Sequence, residues 1–362
     1  CRAADSAVMG RRGFLAGALA LGLAGALSAC TGNGSGAGSA KGSAAPTGSS
    51  PASAPKANVR VASLKGPTSM GLVGFMQKAG QLTAEGASEM EGSGKDLINA
   101  YEFQMMTAAD QIMPSMIKGD LDIALLPANA ASVLYAKSKG AVRCLNINTL
   151  GVLSVVTGDA TVTAFEDLAG RTVYLTGKGT TPEYVMNYLL DAAGIADTVT
   201  LEFKSEAAEV VSVLAADPQA VGVLPQPFVT SALSQVEGLR VALDMNEEWQ
   251  KVAGSKLVTG VLVVRKDAVE NDPEAFAAFM DGYKASVEAA NNDVEGTAAL
   301  CEQYGVVAKA ALAQKALPQC NIVFETGDEM KNDLATYFNV LYAADPASVG
   351  GTLPADDFYY VG

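Results

Sequence analysis

The stretch VRVASLKGPTSMG, residues 59–71, decides the fold class. Val59–Leu64 has the apolar, β-branched character of a strand, a Gly-Pro turn follows, and a helix is predicted to begin at Thr68 or Ser69. Small molecules bind beyond the carboxyl ends of strands in open α/β sheets. The N-terminus of a helix offers free N–H groups and a partial positive charge. The stretch therefore predicts one wall of a ligand site; a purely structural βα turn is the alternative.

A second stretch, LTGKGTTPE at residues 175–183, repeats the order of strand, glycine turn and hydroxyl cap. Thr180 or Thr181 is the predicted N-cap, and Glu183 is placed to complete a capping box with Thr180. Leu-Pro also ends a buried strand twice, in segments 122–127 and 220–225. These repeats predict two lobes of similar topology, each presenting two ligand loops. A chance match of common βα turns is the alternative.

From residue 58 onward, predicted strands and helices alternate. This order predicts an α/β fold in which each lobe is a mostly parallel sheet flanked by helices. Two extended apolar runs, Gly151–Thr157 and Lys256–Val264, are predicted to cross between the lobes. Helices are predicted to dominate the chain after the second crossing.

Composition excludes several classes of function. The 362 residues are 49% hydrophobic with a net charge of −14, which argues against a nucleic-acid partner. The chain has no histidine, so it lacks the usual general base, zinc ligand and member of a Ser-His-Asp triad. No GxxxxGK[ST] phosphate loop is present. We therefore expect no catalytic residue, no cofactor and no metal.

Residues 9–29 have the pattern of an export signal. Arg11-Arg12 resembles a twin-arginine motif, and 17 uncharged residues, 13–29, follow it. That run is short for a membrane span of about 20 residues. It ends in Leu27–Cys30, which matches a lipobox in which Cys30 carries lipid. A transmembrane helix with a chance cysteine is the alternative; the choice between twin-arginine and general export stays open.

The segment after the lipobox is predicted to be a flexible linker over residues 30–57. Gly, Ser, Ala or Pro account for 21 of the 26 residues 31–56, and such a composition buries too little apolar surface to fold. An exported protein also permits disulfides. We therefore predict a disulfide between Cys301 and Cys320, with free thiols as the alternative.

This pattern resembles the solute-binding lipoproteins of ABC importers, in the group that binds nitrate, sulfonate, taurine and thiamine precursors. The resemblance covers residues 58–362 and the lipobox. It rests on the stretches LKGPTSMG (64–71), LPAN (126–129), DLAGRTV (167–173), GKGTTP (177–182) and PQP (225–227). It implies a type II periplasmic-binding-protein fold, with lobe 1 at 58–152 plus 258–362 and lobe 2 at 153–257.

The resemblance implies binding of a small-molecule solute between the lobes and delivery to an ABC permease, by a monomer anchored to the outer face of the cytoplasmic membrane. The predicted ligand-binding residues are Lys65, Gly66, Thr68, Ser69, Asn129, Asn148, Gly177, Lys178, Thr180, Thr181, Tyr184 and Gln226. Solvent exposure is the alternative role for Lys65 and Lys178, a turn for Asn148, and helix packing for Tyr184.

Two helix tips in one cleft favour an anionic solute such as a sulfonate or a carboxylate. An uncharged pyrimidine precursor of thiamine is the second possibility, and a sensor lipoprotein that serves no transporter is the third. A few relatives in the resembled group are enzymes that make the thiamine pyrimidine with a histidine and iron. The absence of histidine argues against that activity.

Overall fold

Two β-sheets, each flanked by helices, organise the computed structural model, which describes residues 57–85 and 99–360. The strands are β1 (Asn58–Leu64), β2 (Ala100–Met106), β3 (Ile123–Pro127), β4 (Val142–Leu150), β5 (Leu153–Thr157), β6 (Thr172–Leu175), β7 (Thr200–Phe203), β8 (Val221–Pro225), β9 (Arg240–Asp244), β10 (Val258–Arg265) and β11 (Ile322–Glu325).

Helices connect these strands and fill the C-terminal third of the chain. They are α1 (Pro67–Met70), α2 (Val73–Glu85), α3 (Ala109–Lys118), α4 (Ala128–Lys137), α5 (Thr181–Ala192), α6 (Ala207–Ala216), α7 (Phe228–Gln235), α8 (Met245–Ala253), α9 (Lys266–Asn271), α10 (Pro273–Asn292), α11 (Val294–Gln303), α12 (Ala310–Ala316) and α13 (Gly327–Ala344). Short 3-10 turns lie at 165–168, 196–198, 317–319, 346–349 and 356–358.

The first sheet has the order β11-β4-β10-β3-β1-β2, and the second has the order β7-β6-β8-β5-β9. In the first, β2, β1 and β3 are parallel, whereas β10 is antiparallel to both β3 and β4. In the second, β7, β6 and β8 are parallel and β5 is reversed. Most strands of each sheet therefore share one direction, and the predicted two-lobed α/β class is confirmed.

Helices cover both faces of the first sheet because the side chains of its central strand alternate. On β10, Val261 and Val263 pack with buried side chains of α13 and α4. Leu262 and Val264, on the other face, pack with α1, α2 and α10. This period of two, with apolar side chains on both faces, is typical of a strand at the centre of a layered α/β domain.

Two short connections join the sheets. Residues 151–152 link β4 to β5, and residues 254–257 link α8 to β10. Gly151 is needed at the first connection, since a Cβ there would lie 2.7 Å from the Cβ of Asn246. The Asn246 side chain also accepts a hydrogen bond from the Leu257 N–H at 3.1 Å, so the two connections are held together. The lobe boundaries 58–152 plus 258–362 and 153–257 remain a proposal.

The predicted disulfide is wrong. Cys301 and Cys320 are free and buried thiols. The Cys320 thiol donates to the Ala316 carbonyl at 3.2 Å, and Cys301 packs in the apolar cluster beneath α10 and α11. Both cysteines therefore pack as small apolar side chains, which is the usual role of a free cysteine in a core.

The predicted export signal, Cys30 and the linker from 30 to 56 lie outside the described residues. Within residues 57–85 and 99–360, no helix is both long and apolar enough to cross a membrane.

Candidate functional site

The first predicted loop forms a tight turn rather than a hydroxyl-capped helix start. Gly66 occupies the N-cap position of α1 with φ of 109°, in a region that favours glycine. Ser69 is buried, and its hydroxyl is held by the Leu64 carbonyl and the Ser63 hydroxyl. The prediction that Thr68 or Ser69 caps the helix is therefore wrong, because the end of β1 binds the Ser69 hydroxyl first. With only four residues, α1 also has little dipole to offer an anion.

Thr68 lies over the sheet beside Asn148, another predicted site residue. A Cβ placed on Gly260 would lie 3.2 Å from Thr68 Oγ1 and 2.5 Å from Asn148 Oδ1. The Asn148 side chain is buried and accepts from the Thr149 hydroxyl at 2.9 Å. Its Nδ2 atom has no hydrogen-bond partner in the described part of the chain. The structure thus brings Thr68 and Asn148 together around Gly260.

A second buried polar atom without a partner lies on the same face of the sheet. The hydroxyl of Tyr283, on α10, makes no hydrogen bond of good geometry among the described residues, although the Asn148 side chain lies close enough to influence its pKa. It lies 3.8 Å from where a Cβ on Gly71 would stand, at the end of α1. Burial raises the pKa of Tyr283, so its hydroxyl stays protonated. Buried polar groups normally have partners, and Asn148 and Tyr283 lie close enough to act as partners for each other.

The second predicted loop is organised by its own backbone. Gly177 has φ of 84°, and its carbonyl accepts from the Thr180 hydroxyl at 2.6 Å. Thr180 is the N-cap of α5, as predicted. The predicted capping box differs, because the Glu183 carboxylate accepts from the Gly179 N–H instead of the Thr180 N–H. The turn is thereby closed without a ligand.

Two predicted site residues on α5 bind α13 and the turn after it. The Thr181 hydroxyl lies 2.9 Å from the Tyr337 hydroxyl, on α13. The Tyr184 hydroxyl donates to Asp345 at 3.0 Å and lies 3.1 Å from the Gly179 carbonyl. Thr181 and Tyr184 therefore tie the second sheet's first helix to the first sheet's last helix, and Tyr184 has the packing role that was its alternative.

The remaining predicted polar residues are accessible. Lys65 and Lys178 are exposed, and the Lys178 ammonium lies 5.9 Å from the ring centre of Phe203. Asn129 is half-buried in the first turn of α4, and its side chain makes no hydrogen bond within the described residues. Across those same residues, no hydrogen bond joins 64–70 to 177–183. That the two loops form one binding surface therefore remains a prediction.

A pocket of about 440 Å³ lies beside the first connection between the sheets. Residues of the first connection, the second sheet and the α12 region line it: Gly151, Val152, Leu153, Ser154, Gln226, Val229, Thr230, Leu233, Ser234, Val241, Asp244, Lys315 and Gln319. Among the predicted site residues, Gln226 lines this pocket. Its volume falls within the range of small-molecule sites.

The polar groups of this pocket come from strand ends and helix starts. The Gln226 N–H donates to the Val152 carbonyl at 3.0 Å, and its side-chain oxygen accepts from the Thr230 hydroxyl at 2.8 Å. Asp244 caps α8 by accepting from the Asn246 N–H at 2.8 Å. The side-chain oxygen of Gln226 and one carboxylate oxygen of Asp244 therefore already accept hydrogen bonds from the protein.

Lys315 supplies a positive charge at this pocket. It is exposed near the end of α12, and no ion pair joins it to a carboxylate in the described part of the chain. Gln319 lies one turn further along the same wall. The pocket thus combines a cation, two amides and several hydroxyls.

Sequence reasoning missed most of these lining residues. Asp244 carried a detectable signal, since Asp followed by Glu247 and Glu248 is a helix-start pattern. Lys315 and Gln319 carried none, because their position depends on how α12 packs beside α7.

Solved structures of binding proteins share this fold. A structure described as an ABC transporter from Parabacteroides distasonis is 22% identical, with a TM-score of 0.68, and the match covers 83% of this chain and 98% of that one. The periplasmic aliphatic sulphonate-binding protein of Escherichia coli is 14% identical, with a TM-score of 0.65 over 85% and 92% of the chains. The alkanesulfonate-binding protein of Xanthomonas axonopodis pv. citri, bound to MOPS, is 13% identical, with a TM-score of 0.54 over 85% and 98%.

These likenesses establish the fold. No curated protein matches this chain. A family model described as VitK2_biosynth, menaquinone biosynthesis, matches residues 100–343, which is well over half of the 362 residues. The matched family differs from the nitrate, sulfonate, taurine and thiamine-precursor group that the sequence resembles. By this match, the chain belongs to the menaquinone biosynthesis family.

Proposed function

We propose that this protein is an extracytoplasmic lipoprotein that captures a small anionic organic solute between two lobes and delivers it to an ABC import permease. One observation carries the proposal: the pocket beside the first connection takes its walls from both sides of that connection. Ser154, Gln226 and Asp244 belong to the second sheet or its loops, whereas Lys315 and Gln319 follow the second connection.

The solute is a carboxylate or a sulfonate, because the pocket offers a lysine and two side-chain amides as donors. Lys315 provides a charge without a carboxylate partner among the described residues, and Gln319 provides an amide. Asp244 carries a negative charge in the same pocket, and its Oδ1 accepts from the Asn246 and Glu247 N–H groups at the start of α8. An anion that meets Lys315 therefore gains a charge-assisted hydrogen bond, which is about twice as strong as a neutral one.

Binding across two lobes gives a mechanism for signalling occupancy. A solute that contacts both lobes makes all of its contacts in the closed form alone, so it shifts the equilibrium toward closure. The shift is limited by the difference in affinity between the two forms. The closed form is then what the permease recognises, with lipid on Cys30 holding the protein at the membrane.

A thermal-shift screen tests the solute class. Purified protein is heated with sulfonates, carboxylates, nitrate and uncharged pyrimidines; at a hundredfold excess over Kd, a ligand stabilises the protein by about 2.7 kcal/mol. Lys315→Gln should abolish the shift caused by an anion. Lys309→Gln is the matched control, because Lys309 is exposed at the other end of α12 and does not line the pocket.

The proposal fails if no solute raises the melting temperature, or if Lys315→Gln responds to the anion as the unmodified protein does. Stabilisation by a pyrimidine that survives Lys315→Gln would favour the uncharged thiamine precursor. Stabilisation without co-purification of a permease in a crosslinked membrane extract would favour a sensor lipoprotein of the same fold.

An enzyme is the second candidate, and the family match favours it because its description names a biosynthetic pathway. The absence of histidine leaves carboxylates, Lys and Tyr as possible proton carriers. Incubating the protein with each solute that stabilises it, followed by mass spectrometry, separates the two activities. A new product whose yield grows with time and enzyme concentration would replace the binding function with catalysis.

A further inference from the structure

Three carboxylates converge at the second connection between the sheets, and none of them lines the pocket described above. They belong to Glu325 at the end of β11 and to Glu329 and Asp333 on α13. One oxygen of each lies within 4.8 Å of an oxygen of the other two. Like charges this close repel strongly unless a cation or a proton intervenes.

One lysine compensates part of this charge. The ammonium of Lys256 lies 2.5 Å from Glu325 Oε1 and 2.6 Å from Glu329 Oε1. The Lys256 N–H donates to Asp333 Oδ1 at 3.2 Å. Three negative charges thus meet one positive charge, and two negative charges remain, which is the charge that a divalent cation neutralises.

Two further oxygens of the cluster are buried without a partner. Asp333 is 8% exposed, and its Oδ2 makes no hydrogen bond within the described residues. Glu325 Oε2 is likewise buried and unpartnered there. A buried carboxylate oxygen that lacks a donor is costly. The burial of these two oxygens distinguishes the cluster from an ordinary acidic surface patch, in which the carboxylates point into solvent.

Neither Glu325 Oε2 nor Asp333 Oδ2 receives a hydrogen bond from the described residues, although both are buried. The site therefore favours a bound positive charge on these two oxygens. That charge is either a metal ion or a proton.

The ligand set selects the ion. All available donors are oxygens, and the chain contains no histidine. Hard divalent cations such as Ca²⁺, Mg²⁺ and Mn²⁺ prefer carboxylate oxygens, whereas zinc favours nitrogen and sulfur ligands. Glu329 is exposed, so water can reach the site and complete the coordination of an ion as large as Ca²⁺.

We propose that Glu325, Glu329 and Asp333 form a site for a divalent cation of the Ca²⁺ type at the second connection between the lobes. The ion binds Glu325 Oε2 and Asp333 Oδ2, and Glu329 completes the protein ligands. Because Lys256 lies in the connection itself, the ion fixes residues 254–257 against α13.

The first test is calcium-dependent stability at neutral pH. At a hundredfold excess over Kd, CaCl₂ should raise the Tm of the unmodified protein by roughly 5–11 °C, whereas NaCl of equal ionic strength should not. Asp333→Asn and Glu325→Gln should each abolish the rise. Glu247→Gln is the matched control, because Glu247 is an exposed carboxylate on α8 and should leave the rise unchanged.

The second test is luminescence of Tb³⁺, which takes the same oxygen ligands as Ca²⁺. Trp249, the single tryptophan of the chain, bonds Ser255 at 3.2 Å, next to Lys256. Its ring lies 6.0 Å from that of Tyr337, one turn beyond Asp333 on α13. Excitation of Trp249 should therefore sensitise a Tb³⁺ ion at this site, and Ca²⁺ should displace that ion.

The proposal is overturned if the unmodified protein gives neither the Tm rise nor sensitised emission that Ca²⁺ removes. It is also overturned if folded Asp333→Asn keeps both responses. Should that variant fail to fold, Glu325→Gln decides the question by the same two measurements. A site that only takes a proton would show a Tm that depends on pH and does not respond to Ca²⁺, which also rejects the proposal.

Discussion

Adding a single methyl group at Gly260 should test the packing of the first predicted loop. Gly260 lies on β10, opposite Pro127 of β3 and Thr149 of β4. In Gly260→Ala the new Cβ would stand 2.5 Å from Asn148 Oδ1 and 3.2 Å from two side-chain atoms of Thr68. A contact of 2.5 Å forces one of the groups to move, and the Asn148 side chain is the nearer of the two.

Asn148 cannot move without loss, because its Oδ1 accepts from the Thr149 hydroxyl and the side chain is buried. Overpacking a well-packed site costs about 1–3 kcal/mol. The lost hydrogen bond adds about 1 kcal/mol. Reduced entropy of the unfolded chain returns about 0.4–1 kcal/mol. We therefore expect a net destabilisation of about 1–3.5 kcal/mol, or a fall in Tm of about 2–14 °C.

Urea unfolding followed by circular dichroism measures this change, with Gly80→Ala as the control. Gly80 is exposed on α2, and a Cβ there would meet no atom within 4 Å. Alanine should stabilise that helix by about 0.5–1 kcal/mol. If Gly260→Ala unfolds at the same urea concentration as the unmodified protein, Thr68 and Asn148 are not packed around this glycine as described.

Two further predictions concern acid stability and thiol chemistry. Hydrogen bonds from Thr161 and Arg171 hold the pKa of Asp159 at about 2, below its ordinary value of about 3.9. Asp159 therefore adds stability that is complete above pH of about 4 and is lost as the pH falls through about 2. The variant Asp159→Asn should accordingly lose less Tm than the unmodified protein as the pH is lowered through this range. An equal loss of Tm in the two proteins would contradict this prediction. Burial raises the pKa of the Cys301 and Cys320 thiols to about 12. Iodoacetamide should label neither thiol in the folded protein but both after unfolding without reductant, as peptide mapping would show. Two thiols that stay unlabelled after unfolding would instead support the disulfide predicted from the sequence.

Sequence periodicity predicted the sheets because strands such as β4 and β5 are buried on both faces. All nine residues of β4 are buried, and a run of apolar residues between turn signals is easy to recognise. The prediction missed α8 and β11. Trp249 and Met245 are the buried residues of α8, which is mostly polar, and β11 has only four residues. Elements with a narrow apolar stripe or a single short run are held by tertiary contacts that local patterns do not record.

The glycine turns were predictable, but the partners of the hydroxyl groups beside them were not. Gly66 and Gly177 have positive φ values of 109° and 84°, which the sequence suggested by placing glycine between a strand and a helix. Thr181 instead bonds Tyr337, which is 156 residues away. A capping preference is local and worth about 1 kcal/mol, so a well-placed distant partner can override it.

The cluster of Glu325, Glu329 and Asp333 shows how spacing can mislead. Glu325, Glu329 and Asp333 are four residues apart, which on a continuous helix indicates a solvated acidic face. Glu325, however, ends a strand, so the chain turns between the first two carboxylates and directs two of them inward. The site depends on this change of secondary structure, which the spacing alone does not indicate.

The two connections between the sheets are restrained unequally, and this bears on any closure of the lobes. The first is fixed from both sides, because the Asn321 side chain donates to the Gly151 carbonyl at 2.5 Å and Asn246 crowds the same glycine. In the second, the N–H groups of Lys256 and Leu257 are bonded to side chains, whereas Gly254 has φ of 66° and ends α8. Rotation about Gly254 breaks fewer side-chain bonds than rotation about Gly151. A cation bound beside Lys256 would therefore stiffen the segment next to the residue best able to bend, and so link ion binding to the closure of the solute site.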